Sequence, residues 1–227
     1  MQSLLLIAAT FTGSPHLAVC DSSEGAATIL ESHVQSGTLL FSQGDCLAVR
    51  IFTRSPYTHV AAVVEKDGEF FVYDSMNGVG VRKLTLLEYC RTECPETLHV
   101  YHPKRKFTGG KLRAFTRHLD SEIGREYGVK HHLTGERAAG IHCAEYVTDA
   151  LCACQVVSAK RPPKVSPDSL RSGVEKSEIY YSALKIELNK PLPTASPESS
   201  CCQRFWFNTK QQTNRICAKL KGWWLCK

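Results

Sequence analysis

Short apolar runs separated by turn residues dominate the chain between residues 38 and 102. Strands are predicted at 38–41, 46–52, 59–65, 69–74, 79–81 and 97–102. Asp67-Gly68 and Asn77-Gly78 are two-residue turn signals, and turns of this kind join antiparallel neighbours. The pattern therefore predicts an antiparallel β-meander.

Helical spacing replaces this pattern further along the chain. Four apolar residues share one face of the segment 111–123, which Gly124 ends: Leu112, Phe115, Leu119 and Ile123. A second amphipathic helix is predicted from Cys143, with apolar residues at offsets of three and four: Ala144, Val147 and Leu151. Shorter helices are predicted at 26–33, at 85–91 and from Ser166-Pro167, and a closing strand at 179–188. Strands grouped apart from helices indicate the α+β class.

Four segments are predicted from these patterns. Residues 1–36 form an N-terminal segment, 37–188 a single domain, 189–200 a linker rich in proline and serine, and 201–227 a tail. The apolar run near Met1 has no preceding Lys or Arg, so a weak secretory signal and a buried first element compete as interpretations. We expect a cytoplasmic or membrane-peripheral protein, with secretion as the alternative.

The net charge of +6 resides in the tail. Residues 201–227 contain six Lys or Arg and no acidic residue, which leaves the remainder of the chain neutral and argues against nucleic-acid binding. The cations alternate with aromatic residues, a composition suited to an anionic membrane surface: Phe205, Trp206, Phe207, Trp223 and Trp224. The competing interpretation is a disordered or weakly packed extension.

Eleven cysteines form no recognisable metal motif. The spacings Cys90/Cys94 and Cys152/Cys154 differ from the CxxC pattern of zinc knuckles. We therefore expect structural or incidental thiols, no metal site and no cofactor.

Three residues in different elements suggest catalytic chemistry. Cys143 lies at a helix N-terminus, where the helix dipole and unpaired N–H groups stabilise a thiolate. His59 begins one strand and Asp74 ends its hairpin partner, so the two side chains can share a hydrogen bond. Thiolate, imidazole and an orienting polar group are the set that a thiol hydrolase needs. The alternative for Cys143 is a small buried apolar residue.

Six short segments occur in a recognisable order. They are Gly44-Asp45-Cys46-Leu47, Ser55-Pro56-Tyr57-Thr58-His59-Val60-Ala61, Phe71-Val72-Tyr73-Asp74-Ser75, Gly124-Arg125-Glu126-Tyr127, His142-Cys143-Ala144-Glu145-Tyr146-Val147 and Ser166-Pro167-Asp168-Ser169-Leu170. Their order resembles that of the circularly permuted NlpC-type papain-like cysteine hydrolases, in the YiiX-like branch, over about residues 37–173. Two positions depart from that branch: Asp74 stands where glutamate is common, and Ala144 where serine is usual.

The resemblance implies a permuted papain-like fold, in which an antiparallel β-meander or barrel packs against the cysteine helix. It makes Cys143 the nucleophile, His59 the general base and acid, and Asp74 the orienting group, with Tyr127 and Ser55 at the substrate. The expected activity is hydrolysis of an amide (peptide, cell-wall or N-acyl) or ester bond through an acyl-enzyme. Two alternatives remain: a membrane-associated lipid acyl hydrolase or acyltransferase, and a non-catalytic cysteine-rich module that binds metal or a partner. Three histidines near Cys143 rank below His59 as the base: His131, His132 and His142.

Overall fold

The fold is known from a computed structural model that describes residues 15–44, 50, 54–93, 96–129, 134–189, 196 and 200–225. Its strands are β1 (His16–Cys20), β2 (Leu39–Gln43), β3 (Tyr57–Lys66), β4 (Glu69–Met76), β5 (Gly80–Thr85), β6 (Thr97–Pro103) and β7 (Tyr180–Leu188). Its helices are α1 (Ser23–Glu31), α2 (Leu86–Glu93), α3 (Gly109–Ser121), α4 (Cys143–Ala153), α5 (Pro167–Lys176) and α6 (Cys201–Leu225), with a 3₁₀ turn at Pro162–Lys164. The class is α+β, as predicted.

One open sheet of seven strands forms the centre, in the order β1-β7-β6-β2-β3-β4-β5. The pairing of β1 with β7 is parallel, and the other pairs are antiparallel. The predicted meander is present as β3-β4-β5, and Asp67 and Gly68 both have positive φ, as a tight hairpin turn requires. Closure into a barrel does not occur among the described strands. The strand β7, expected to close the domain, lies inside the sheet between β6 and β1.

Helices cover both faces of the sheet. Side chains alternate along each strand, so β3 sends Val60 and Ala62 into one apolar core and Ala61 and Val63 into the other. The first core is shared with α3, α4 and α5, and the second with α1 and α2. In this three-layer arrangement, residues from both helical layers can meet at the sheet between them.

The helix α4 is buried on every side, where an amphipathic helix was predicted. Cys143 to Leu151 are all buried, including the polar residues Glu145, Thr148 and Asp149. The Thr148 hydroxyl donates to the Ala144 carbonyl at 2.6 Å, and the Asp149 carboxylate accepts from Arg137 at 2.6 and 2.7 Å. Because intramolecular partners satisfy these groups, the polar residues do not mark a solvent face.

Other predictions differ from the structure in particular places. The helix α3 ends at Ser121, and Gly124 turns the chain with φ of +85°, so Ile123 lies outside the helix and is 47% exposed. The strand β1 was not predicted. The tail forms α6, a continuous helix. The predicted strand 46–52 (apart from position 50), His131, His132, the apolar run near Met1 and most of 189–200 lie outside the described residues.

Candidate active site

The N-terminus of α4 is held by contacts on both sides of Cys143. His142 is the N-cap: its Nδ1 accepts from the Glu145 amide at 3.3 Å, while its Nε2 donates to the Pro163 carbonyl at 2.9 Å. The Ser75 hydroxyl, near the end of β4, donates to the Ile141 carbonyl at 2.8 Å. These contacts fix the first turn of the helix, and with it the Cys143 thiol, against the sheet.

His59 and Asp74 meet at the ends of β3 and β4. The register of this hairpin pairs Ala62 with Tyr73, so that Asp74 is the next residue on β4 and His59 lies three residues before Ala62 on β3. The His59 Nε2 atom and the Asp74 Oδ2 atom are 3.0 Å apart, and both side chains are buried. With Nε2 occupied by the carboxylate, the Nδ1 atom is the imidazole nitrogen left for the thiol.

Arg82 and Glu93 extend the site beyond the residues found by sequence. Arg82 lies directly opposite Asp74 in the β4–β5 register and donates to its carboxylate from Nε at 2.8 Å and from Nη2 at 3.0 Å. The same Nη2 donates to Glu93 at the end of α2, at 2.7 Å. A two-residue turn at Asn77-Gly78 would pair Asp74 with Val81, but three residues separate Met76 from its partner Gly80, and this extra residue brings Arg82 opposite Asp74. Glu93 lies at the site because of the way α2 packs, and no local sequence pattern predicts that packing.

Contacts therefore run across the sheet from one helical layer to the other. Cys143 belongs to the core shared with α4, whereas Glu93 belongs to α2 on the opposite face. His59, Asp74 and Arg82 connect them in that order. Asp74 has the same parity along β4 as Val72, which faces the α1–α2 layer that also contains Glu93.

The electrostatics of the site favour a charged thiol and a charged imidazole. Burial alone would raise the pKa of Cys143, but the neighbouring His59 and His142 outweigh it and lower that pKa to about 6. Burial opposes a charged His59 ring, yet the Glu93 carboxylate, the Cys143 thiolate and the Asp74 hydrogen bond raise its pKa well above its usual value. The thiolate and the imidazolium stabilise each other, so the pair is charged together.

The pKa values of the Asp74 and Glu93 carboxylates are shifted in opposite directions. Burial works to raise the pKa of Asp74, but hydrogen bonds from His59 and Arg82 overcome it and lower that pKa. At Glu93 burial prevails and the pKa is raised. Asp74 therefore stays ionised next to His59. Arg82 supplies the positive charge that allows two buried carboxylates to lie near each other.

Tyr127 reaches the site through a segment pinned at both ends. The Arg125 carbonyl accepts from the Val81 amide at 2.8 Å, which ties the segment to β5, and Tyr127 forms a parallel bridge with Ile141. The Arg125 guanidinium donates to the carbonyls of Ala138 and Ala139 at 2.8 and 2.7 Å, closing the loop above the segment. Burial, with a smaller contribution from Cys143, raises the pKa of the Tyr127 phenol, which therefore stays protonated and able to donate a hydrogen bond.

Ser55 is buried, and its hydroxyl accepts from the Tyr57 amide at 3.2 Å. This bond starts β3 two residues before His59, so the structure gives Ser55 a role in positioning that strand. A contact between Ser55 and substrate stays a prediction.

One group of potential metal ligands is found among the described residues. The His59 ring nitrogen and the carboxylates of Asp74 and Glu93 lie within 4.8 Å of one another. These carboxylates already accept from Arg82, whose guanidinium would have to leave before a cation could take its place. The residues therefore fit the arginine better than a metal ion as they stand.

The cysteines give no sign of a disulfide frame in the described part of the chain. Eight of them are free thiols, and the metal-ligand group contains none of these. Burial raises the pKa of Cys20, Cys152 and Cys154, in contrast to the lowered pKa of Cys143. Cys143 therefore differs from these three thiols in the direction of its pKa shift as well as in position.

Comparison with known proteins gives a distant structural likeness. No protein-family model matches the chain, and no curated protein matches it in sequence. Among solved structures, the crystal structure of the metalloprotein yiiX from Escherichia coli aligns with 68% of this chain and 88% of its own, at 12% sequence identity and a TM-score of 0.46. A likeness this distant assigns neither a family nor an activity to the chain.

Proposed function

We propose that the protein is a thiol hydrolase of the circularly permuted papain-like type, which cleaves an amide or ester bond through an acyl-enzyme on Cys143. The observation that carries the proposal is the combination of a thiol with a lowered pKa and a histidine whose far nitrogen is held by a buried carboxylate. The order His59, Asp74, Cys143 along the chain supports the permuted connection.

In the first half of the reaction, the Cys143 thiolate attacks the substrate carbonyl carbon and forms a C–S bond. The carbonyl electrons move to oxygen, giving a tetrahedral oxyanion. When these electrons return, the bond to the leaving group breaks, and the His59 imidazolium donates its proton to the departing nitrogen or oxygen. The product of this half is a thioester on Cys143 and a free amine or alcohol.

In the second half, neutral His59 takes a proton from water while the water oxygen attacks the thioester carbon. Collapse of the second tetrahedral species breaks the C–S bond and releases the acid. Cys143 leaves as a thiolate beside the imidazolium, so the starting charge state is restored. Asp74 remains ionised throughout, holding the ring orientation and stabilising its positive charge.

The oxyanion needs hydrogen-bond donors at the start of α4. The Cys143 backbone amide belongs to the first turn of the helix, where N–H groups have no intrahelical acceptor. We assign this amide and the Tyr127 hydroxyl as the oxyanion donors, because the phenol remains protonated next to the thiol. Each such donor is typically worth about 10²–10³ in kcat.

The test is intact-protein mass spectrometry after treatment with activated acyl esters, peptidyl electrophiles and N-acyl amides. The expected result is one acyl group per chain on Cys143, absent in Cys143→Ala and long-lived in His59→Ala. Cys154→Ala, which removes a buried thiol at the other end of α4, serves as the matched control and should acylate normally. Equal acylation of Cys143→Ala and the parent protein would refute the proposal.

A second candidate function is metal binding by the cluster of His59, Asp74 and Glu93, which requires the Arg82 guanidinium to leave both carboxylates. It predicts stoichiometric Zn²⁺ uptake that is lost in Glu93→Gln. Because Glu93 acts on acyl transfer only through the charge of His59, acylation of Cys143 that is slowed but retained in Glu93→Gln separates the two functions.

A further inference from the structure

The helix α6 exposes apolar residues along one face, here called the stripe, in two groups separated by Thr209 and Thr213. Four of its apolar residues are largely exposed: Phe205 at 65%, Trp206 at 69%, Ile216 at 59% and Leu220 at 44%. At 3.6 residues per turn all four fall within one third of the helix circumference. Trp223 and Trp224 follow Phe205 and Trp206 by an integral number of turns, so by position they continue the same stripe.

Cations border this stripe on both sides. By helical spacing, positions 204, 215 and 219 lie along one side and positions 210 and 221 along the other, and each is Lys or Arg. The helix contains no acidic residue, so none of its own carboxylates neutralises these charges. An exposed apolar stripe between two rows of cations is the pattern of a helix that lies in a membrane interface.

The helix is not suited to crossing a bilayer. Among the described residues no helix combines the length and apolar character that a membrane span requires. A flat orientation satisfies both parts of the pattern, because aromatic side chains enter the acyl-chain boundary while Lys and Arg remain at the headgroup phosphates.

We propose that α6 binds an anionic lipid surface, lying parallel to it with the stripe of Phe205, Trp206, Ile216 and Leu220 turned toward the acyl chains. Charge complementarity selects this partner over a second copy of the chain, because two such helices would bring like charges together. The proposal is independent of acyl transfer, since it involves no residue of the candidate active site.

Intrinsic fluorescence gives a selective readout. All three tryptophans of the chain lie in α6, at positions 206, 223 and 224, so tryptophan emission reports on this helix alone. On addition of vesicles of phosphatidylcholine with phosphatidylserine, the full chain should sediment with lipid and its emission should shift to the blue. Vesicles of phosphatidylcholine alone should bind much less, and high salt should release the protein because it screens the charges.

Two pairs of variants separate the apolar and electrostatic parts. Phe205→Ser should weaken sedimentation with anionic vesicles, whereas Phe207→Ser should not, because Phe207 lies two positions further on and so on the opposite side of the helix. Arg204→Gln and Lys210→Gln should each lower the partition coefficient about fivefold. Far-ultraviolet circular dichroism on each variant checks that the helix is retained.

Three results would overturn the proposal. The first is unchanged emission with anionic vesicles, and the second is equal loss of binding in Phe205→Ser and Phe207→Ser. The third is a dimer in sedimentation velocity whose tryptophan emission is already blue-shifted without lipid, which would assign the stripe to a second copy. Cys143→Ala should bind vesicles like the parent protein, so failure of the enzymatic proposal leaves this one standing.

Discussion

Arg82 donates to both carboxylate oxygens of Asp74, at 2.8 and 3.0 Å, and shares the Oδ2 atom with His59. Asp74 has a shorter side chain than glutamate, which is common at this position in the hydrolases that the sequence resembles. The guanidinium holds the carboxylate in place through two donors, and its other contact, to Glu93, anchors the arginine in turn. The ion pairs of Arg82 with Asp74 and Glu93 therefore orient the His59 imidazole indirectly, through Asp74.

Breaking this network should cost both stability and activity. Arg82→Gln leaves two buried carboxylates without their cation, and loss of one partner from a buried pair typically costs about 3–5 kcal/mol. We expect a lower urea midpoint and a decrease in kcat/KM. The double variant Arg82→Gln/Glu93→Gln should recover part of the stability, because it removes one of the unpaired charges. A double variant no more stable than Arg82→Gln alone would contradict the coupling between Arg82 and Glu93.

Asp74→Asn should preserve the shape of the site while removing its negative charge. The amide no longer stabilises the imidazolium, so the pKa of His59 should decrease and that of Cys143 increase. We expect a decrease in kcat/KM on the order of 10²–10⁴, and slower alkylation of Cys143 by iodoacetamide near pH 6. Asp120→Asn is the matched control, since Asp120 accepts from Tyr73 away from Cys143. If Asp74→Asn were alkylated at the parental rate, Asp74 would have no influence on the ionisation of the Cys143 thiol.

The pH dependence of acyl transfer should be bell-shaped. Below the Cys143 pKa of about 6 the thiolate is protonated, which sets the acid limb there. The His59 pKa is raised, so the imidazolium that protonates the leaving group persists past the usual histidine range, and the basic limb lies above it. The profile of kcat/KM, together with the ultraviolet absorbance of the thiolate, measures both limbs. An acid limb near the ordinary thiol pKa of about 8.5 would refute the ion pair.

Gly80→Ala should displace the segment that carries Tyr127. A Cβ atom at Gly80 would lie 2.4 Å from the Arg125 carbonyl oxygen, and its φ of +93° adds backbone strain. Gly68→Ala is the control, because its φ of +82° brings similar strain with no atom within 4 Å of the added Cβ. Both variants should lose about 1 kcal/mol through the backbone, and Gly80→Ala should lose more and show a lower kcat for acyl transfer. Equal effects on kcat would mean that the position of Tyr127 does not matter.

The sequence predicted those features that depend on local chemistry. The Asp67-Gly68 turn determines the β3–β4 register, and that register brings His59 toward Asp74. The capping box of α5 was visible as Ser166-Pro167 followed by Ser169. In both cases a few neighbouring residues decide the geometry, so no knowledge of the packing is needed.

Features that depend on distant segments were missed. The parallel pairing of β1 with β7 joins residues near opposite ends of the chain, so nothing close to His16 indicates its partner. The polar residues of α4 suggested a solvent face because Asp149 finds Arg137 only in the folded loop. Arg82 was missed because the predicted two-residue turn at Asn77-Gly78 would place Val81 opposite Asp74, whereas the observed loop is one residue longer.

The hydrogen bonds from the Arg125 guanidinium have a consequence for how the sequence around this site can vary. Its bonds to Ala138 and Ala139, with the Glu126–Ile141 backbone bond at 2.9 Å, bring the two ends of the intervening loop together independently of what lies between them. Sequence changes between these anchor points leave the bonds themselves intact, so they can alter what the loop presents to a substrate while the thiol and its histidine keep their places.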